Sequence, residues 1–160
     1  MHWKLVVIGG LVFYVVIFLV SGATGPLIHN GVLLPLYEAN AEHWRPELTA
    51  DPPDMAALMP RWITTGLIGA FLTALVYAWV RPAFSGAGWK KGLKFGFAVW
   101  LLNLCWFLGW SGIFDLPDVI WMWWAVEAFV AYLVGGLVLG WVAEKLAPIH
   151  VHVHEQPAAP

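Results

Sequence analysis

Residues 119–143 read VIWMWWAVEAFVAYLVGGLVLGWVA, and this stretch decides the fold. It is longer than the roughly 20 mostly apolar residues, at about 1.5 Å each, that an α-helix needs to cross the hydrocarbon core of a bilayer. Its lone charge is Glu127. An ionisable side chain at that depth is costly in lipid, so it normally faces protein or water, finds a partner, and marks a functional or assembly-determining position.

Three further stretches reach spanning length: Leu5–Ala23, Trp62–Val80 and Phe95–Ile113. With Val119–Ala143 they predict an all-α, polytopic membrane four-helix bundle, because each run is too long and too continuously apolar for the alternating strands of a membrane barrel. Composition agrees. The 160 residues suit one domain, and 61% hydrophobic against 11% charged residues is too apolar for an ordinary soluble one. Met1–Lys4 followed by Leu5–Val20 resembles a signal peptide in outline. The apolar run is slightly long for a signal core and three more spans follow it, so it is read as a helix. The transmembrane domain is placed at 1–147 and a His/Pro-rich cytoplasmic tail at 148–160.

Lys and Arg near the helix ends set the expected orientation, since cytoplasmic loops carry the excess. With the N-terminus inside, Lys4, Arg81, Lys90, Lys91, Lys94 and Lys145 fall on the inner side and only Arg45 and Arg61 on the outer. Both termini are therefore expected in the cytoplasm, at a bacterial inner membrane. Glu38, Glu42, Glu47, Asp51, Asp54, Asp115 and Asp118 then make the outer face acidic. Trp3, Trp62, Trp79, Trp89, Trp110, Trp121 and Trp141 fall near run ends, where an indole suits the headgroup level. The short connections Arg81–Lys94 and Phe114–Asp118 predict that the second, third and fourth helices are antiparallel neighbours. The first outer connection, 24–61, is long and carries Pro46, Pro52, Pro53 and Pro60. Within it, Asn30–Trp44 reads as a short amphipathic helix at the interface.

Small residues suggest where helices approach closely in lipid. Gly66, Ala70 and Ala74 recur every four residues in the second helix; Ala131 and Gly135 continue the stripe of Glu127, with Gly136 and Gly140 alongside. Counting depth from the same membrane face puts Asn103, Thr73 and Tyr14 at the level of Glu127, as a candidate polar layer. Two readings of that layer stay open: a proton-accepting or ligand-orienting site, or a protonated acid hydrogen-bonded for packing alone.

Other chemistry is sparse. His29 and His43, with Glu38 and Glu42, are competent metal ligands at a spacing that matches no closed metal pattern. In the tail, an extended chain throws His150, His152 and His154 onto one side, where a divalent metal is the single cofactor to consider. No histidine lies within the cores of the four runs, which disfavours haem, and phosphate-loop, dinucleotide and nucleophile-elbow patterns are missing from the sequence. No catalytic residue is assigned, and the reading leans away from an enzyme. Cys105 stands alone, so an intrachain disulfide is excluded and the thiol reads as a small packing residue. Net charge of −2 gives no reason to expect nucleic acid. Trp121-Met122-Trp123-Trp124, with Trp106 and Trp110, reads either as a slot for a lipid, quinone or pigment ring or as interfacial belt and core packing.

Through Trp3-Lys4 ahead of Val7-Ile8-Gly9-Gly10-Leu11-Val12, Asn30-Gly31-Val32-Leu33-Leu34, and Trp124-Ala125-Val126-Glu127-Ala128, the chain resembles a loose group of uncharacterised bacterial four-helix integral membrane proteins. The resemblance covers most of 1–147 and implies a fold without a function. The function expected from the residues is a non-enzymatic accessory or scaffold subunit that packs in the bilayer against other membrane chains or copies of itself. The alternative is lipophilic-ligand binding or proton-coupled transport at the Glu127 layer.

Overall fold

The computed structural model describes residues 3–148, and among them every regular element is helical. Four helices are long and apolar enough to cross a membrane: α1, Leu5–Ala39; α2, Met55–Val80; α3, Gly88–Ser111; and α4, Asp118–Leu146. The chain is an all-α four-helix bundle of a multi-pass membrane protein. Its outer surface carries large apolar side chains, among them Phe18, Leu19, Ile68, Leu102, Trp106 and Leu108, as a lipid-facing surface requires.

α1 runs well past its expected end at Ala23. Gly22, Gly25 and Pro26 look like a stop, because proline lacks a donor and its ring crowds the preceding turn. The helix instead winds wide over Pro26–Leu33, a π-type turn that absorbs the proline without breaking the rod. The segment expected as a separate interfacial helix over Asn30–Trp44 is therefore the C-terminal end of α1 up to Ala39, followed by a tight turn at Ala41–His43. The true connection is shorter and holds one further turn of helix, Pro46–Thr49. There Arg45 donates to Glu47 at 2.9 Å, and this bond holds the Glu47 carboxyl below its ordinary range. Asp54 Oδ1 accepts from the Ala57 N–H at 3.1 Å and so caps α2.

α4 lies between α1 and α3, antiparallel to both. Its two faces of small residues explain why. Gly135 sits against Phe13 and Ile17 of α1, whereas Gly136 and Gly140 meet Gly88, Gly92 and Gly96 of α3 backbone to backbone. α2 is the exception to the expected order of neighbours. Ala70 and Ala74 are buried, and Gly66 and Phe71 pack on Tyr14 and Gly10, so α2 lies along α1 and meets α3 chiefly at one end, through the Tyr77 and Phe95 rings at 5.0 Å. The short connection constrains only where α3 begins. Packing of small residues decides which helix α2 lies along.

Lys4, Arg81, Lys90, Lys91, Lys94 and Lys145 share the end of the bundle where α1 and α3 begin and α2 and α4 finish. Two bonds tie that end together. The buried Arg81 guanidinium donates to the Ala143 carbonyl at 3.1 Å, a cation at a helix C-terminus, and the Glu144 carboxylate accepts the Gly88 N–H at 3.0 Å, an anion at a helix N-terminus. The turn into α3 needs Gly86 at φ +104°. Gly86→Ala should accordingly destabilise the protein by about 1–3 kcal/mol, read as a lower denaturation midpoint in mild detergent; an unchanged midpoint would show that this turn tolerates a side chain.

Candidate functional site

Glu127 lies nine positions into α4 from Asp118, or about 14 Å along the axis. The α4 backbone aims it at α1, since Ala131 and Gly135 on the same stripe let α1 come close. What it meets there is His29, ten positions before the C-terminal end of α1 at Ala39 and carried on the wide turn that Pro26 requires. His29 Nε2 is 2.9 Å from Glu127 Oε2, and Thr24 Oγ1 is 2.8 Å from Glu127 Oε1. The side chains are 35% exposed for His29 and 14% for Glu127, so the carboxylate is shielded while its partner is still reachable.

The contacts continue outward. His29 Nδ1 is 2.7 Å from the Tyr37 hydroxyl oxygen, which also accepts the Trp124 indole N–H at 2.8 Å. Trp44 donates its indole N–H to the Tyr37 carbonyl at 3.0 Å and places its ring edge against the Tyr37 ring, with centroids 5.2 Å apart. Ile28, Leu33 and Ile120 are buried beneath these rings as a second small core. Proline, wide turn and aromatic cap together hold the imidazole in place.

Counting donors settles the order of bonds when Glu127 is ionised. Trp124 donates to Tyr37, the Tyr37 hydroxyl donates to His29 Nδ1, His29 Nε2–H donates to Oε2, and Thr24 donates to Oε1. One more proton fits without loss of a bond. Thr24 Oγ1 also lies 3.0 Å from the Val20 carbonyl. A protonated Oε1 can therefore donate to Thr24 while the Thr24 hydroxyl turns to donate to Val20. The network is fully bonded both with the extra proton and without it.

Beside it opens a cavity of about 340 Å³, between α1, α3 and α4, lined by Ser21, His29, Asn103, Trp124, Glu127 and Tyr132 with apolar neighbours. Asn103 donates its amide to the Tyr132 hydroxyl at 3.1 Å, and its Oδ1 is buried without a partner. The expected polar layer is thus only partly assembled. Asn103 faces the Glu127 cavity, but Thr73 is exposed on α2 and donates to the Gly69 carbonyl at 2.8 Å, and Tyr14 packs against Gly66 and Phe18. Neither reaches the carboxylate. Both lie too far along their helices: Tyr14 is 15 positions, about 22 Å, before His29 on α1, and Thr73 adjoins Ala74, which packs at the level of Leu139, 12 positions past Glu127.

No family model, curated protein or solved structure matches the chain. Function therefore rests on the geometry.

Thr24, His29, Tyr37 and Trp124 were not legible as partners while α1 was taken to end at Ala23. One signal was present: apolar Leu27-Ile28 and Val32-Leu33-Leu34 continue the run beyond Pro26, and counting inward from Ala39 brings His29 to the depth of Glu127. His43 Nδ1 lies 3.5 Å from Glu42 Oε1, but His29 is committed to Glu127, so these residues form no common site with Glu38. Among the described residues no three or more His, Cys, Asp or Glu are grouped to hold a metal. His150, His152 and His154 lie outside the described residues. Cys105 is exposed on α3.

The tryptophan block divides. Trp124 joins the Glu127 network, whereas Trp121 and Met122 line an apolar groove of about 560 Å³ between α3 and α4 with Trp100, Phe107 and Phe129. Trp106 and Trp110 lie outside it and are exposed.

Proposed function

We propose that the protein is a proton-coupled carrier or binding protein for a small molecule, with Glu127 and His29 as the proton-exchange pair. The observation that carries this reading is the cavity opening directly on a carboxylate whose hydrogen bonds survive gain and loss of a proton. A bundle kept only for packing gives no reason for such a space beside its buried acid. In this reading the membrane is a bacterial inner membrane and the cation-rich end faces the cytoplasm, an orientation that the excess of Lys and Arg supports, and the Glu127 cavity then lies in the outer half of the bilayer.

Infrared difference spectra of the protein in lipid, recorded between acid and alkaline conditions, test the proton site. The wild type should show a carboxylic acid C=O band from a weakly hydrated group, and Glu127→Gln should remove that band while circular dichroism stays unchanged. A band that persists in Glu127→Gln, or spectra with no such band at all, would reject the reading.

A second reading, an accessory subunit that packs against other membrane chains or copies of itself, is favoured by the apolar groove between α3 and α4. Co-purification in mild detergent distinguishes it: a lone monomer with no associated chain counts against it.

A further inference from the structure

We propose that the cavity beside Glu127 selects a protonated primary or secondary amine that carries a single aromatic or similarly sized apolar group. This rests on the reading of Glu127 as a proton-exchange site and names the class of ligand. The polar side chains lining the space are Ser21, His29, Asn103, Trp124, Glu127 and Tyr132, and they include one anionic acceptor, the Glu127 carboxylate, and one acceptor with no partner in the protein, Asn103 Oδ1. Neither Lys nor Arg lines it. An anion would meet Glu127 with no fixed countercharge, and a neutral ligand would leave the carboxylate without a new partner. An ammonium meets both needs. It pairs with Glu127, donates a further N–H to Asn103 Oδ1, and lies among the Phe107, Trp124 and Tyr132 rings, whose faces attract cations. The volume, about 340 Å³, is at the small end of ligand sites and suits one ring with a short chain.

Such a ligand competes with the proton at Glu127, so each weakens the other by the same factor. The groups facing the carboxylate are His29 from α1, with Tyr37 behind it, and Tyr132 from α4 itself; α3 contributes the neutral Asn103, and α2 contributes nothing to the lining. Affinity therefore falls wherever the carboxyl takes up the competing proton.

The test is equilibrium binding of 2-phenylethylamine to the full chain in lipid nanodiscs, with 2-phenylethanol and phenylacetate as neutral and anionic controls. The amine should bind while the alcohol and the acid do not. Glu127→Gln should weaken the amine by about tenfold to a hundredfold, the worth of a bond to a charged group, and should remove the pH dependence. Asn103→Leu should weaken the amine, yet leave its trimethylammonium analogue, which has no N–H to donate, unaffected. Equal binding of alcohol and amine, or an amine affinity that Glu127→Gln does not change, overturns the proposal. If the infrared band of Glu127 is present in that case, the proton site stands and the choice of ligand alone has failed.

Discussion

Gly92→Leu is expected to abolish the native bundle. A Cβ at Gly92 would overlap the Gly136 carbonyl oxygen and stand 2.7 Å from Gly140 Cα and 2.8 Å from Gly140 N. These are main-chain atoms, so no rotamer change can make room. The opposing side is equally tight, for a Cβ at Gly136 would come within 2.9 Å of Gly96 Cα. Overpacking a well-filled core ordinarily costs about 1–3 kcal/mol, which is the expectation for Gly92→Ala. A leucine must instead separate α3 from α4 and forfeit most of that interface, against a total stability of about 5–15 kcal/mol. Denaturant unfolding in mild detergent, followed by circular dichroism, should show no cooperative transition for Gly92→Leu. Gly109→Ala is the control on the same helix. Nothing lies within 4 Å of its added carbon, so it should be neutral or stabilising by about 0.5–1 kcal/mol. A Gly92→Leu protein that unfolds like the wild type would show that α3 and α4 do not meet through these glycines.

The second large effect is expected in a double-mutant cycle on Glu127 and His29. Glu127→Ala removes the acceptor for both His29 and Thr24, and should cost about 3 kcal/mol, as bonds to charged groups are worth about 1.5–3 kcal/mol each. His29→Ala leaves a shielded carboxylate short of a partner and deprives the Tyr37 hydroxyl of its acceptor. Interhelical hydrogen bonds between neutral groups in a membrane average only about 0.6 kcal/mol in such cycles. The Glu127 pair is charge-assisted, and its coupling is expected above that mean, at about 1–2 kcal/mol. The double variant should therefore be less damaged than the two single losses added together. Strict additivity would mean that the imidazole and carboxylate contribute nothing to each other, and that α1 is held to α4 by its remaining contacts.

The candidate site was half legible. Glu127 could be found from its surroundings in the chain, because one charge inside a long apolar run is conspicuous whatever the tertiary structure. Asn103 was legible by depth, since counting along two antiparallel helices gives their relative height. His29 was hidden by local chemistry: Gly25-Pro26 reads as a helix stop, whereas α1 absorbs the proline in a wide turn and continues to Ala39. Tyr14 and Thr73 show the converse error. Their counted heights fail because α1 runs on to Ala39 and α2 begins at Met55, so both side chains lie several helical turns nearer the cation-rich end of the bundle than the level at which His29 meets Glu127. The Gly88, Gly92 and Gly96 repeat of α3 stands in the sequence at four-residue spacing, yet its partner in Gly136 and Gly140 becomes visible only when the two helices are seen together.

Hydropathy summed along the chain was enough to establish four helices long and apolar enough to span a membrane and one carboxylate too deep to be left unpartnered, because the cost of burying polar groups in lipid accrues residue by residue and needs no knowledge of neighbours. The tertiary structure decided what that carboxylate touches, that α2 lies along α1, and that a cavity remains at the site. Those outcomes depend on helix rotation and close approach, which are settled by the mutual fit of glycine faces, a proline-induced wide turn and an aromatic cap from distant parts of the chain.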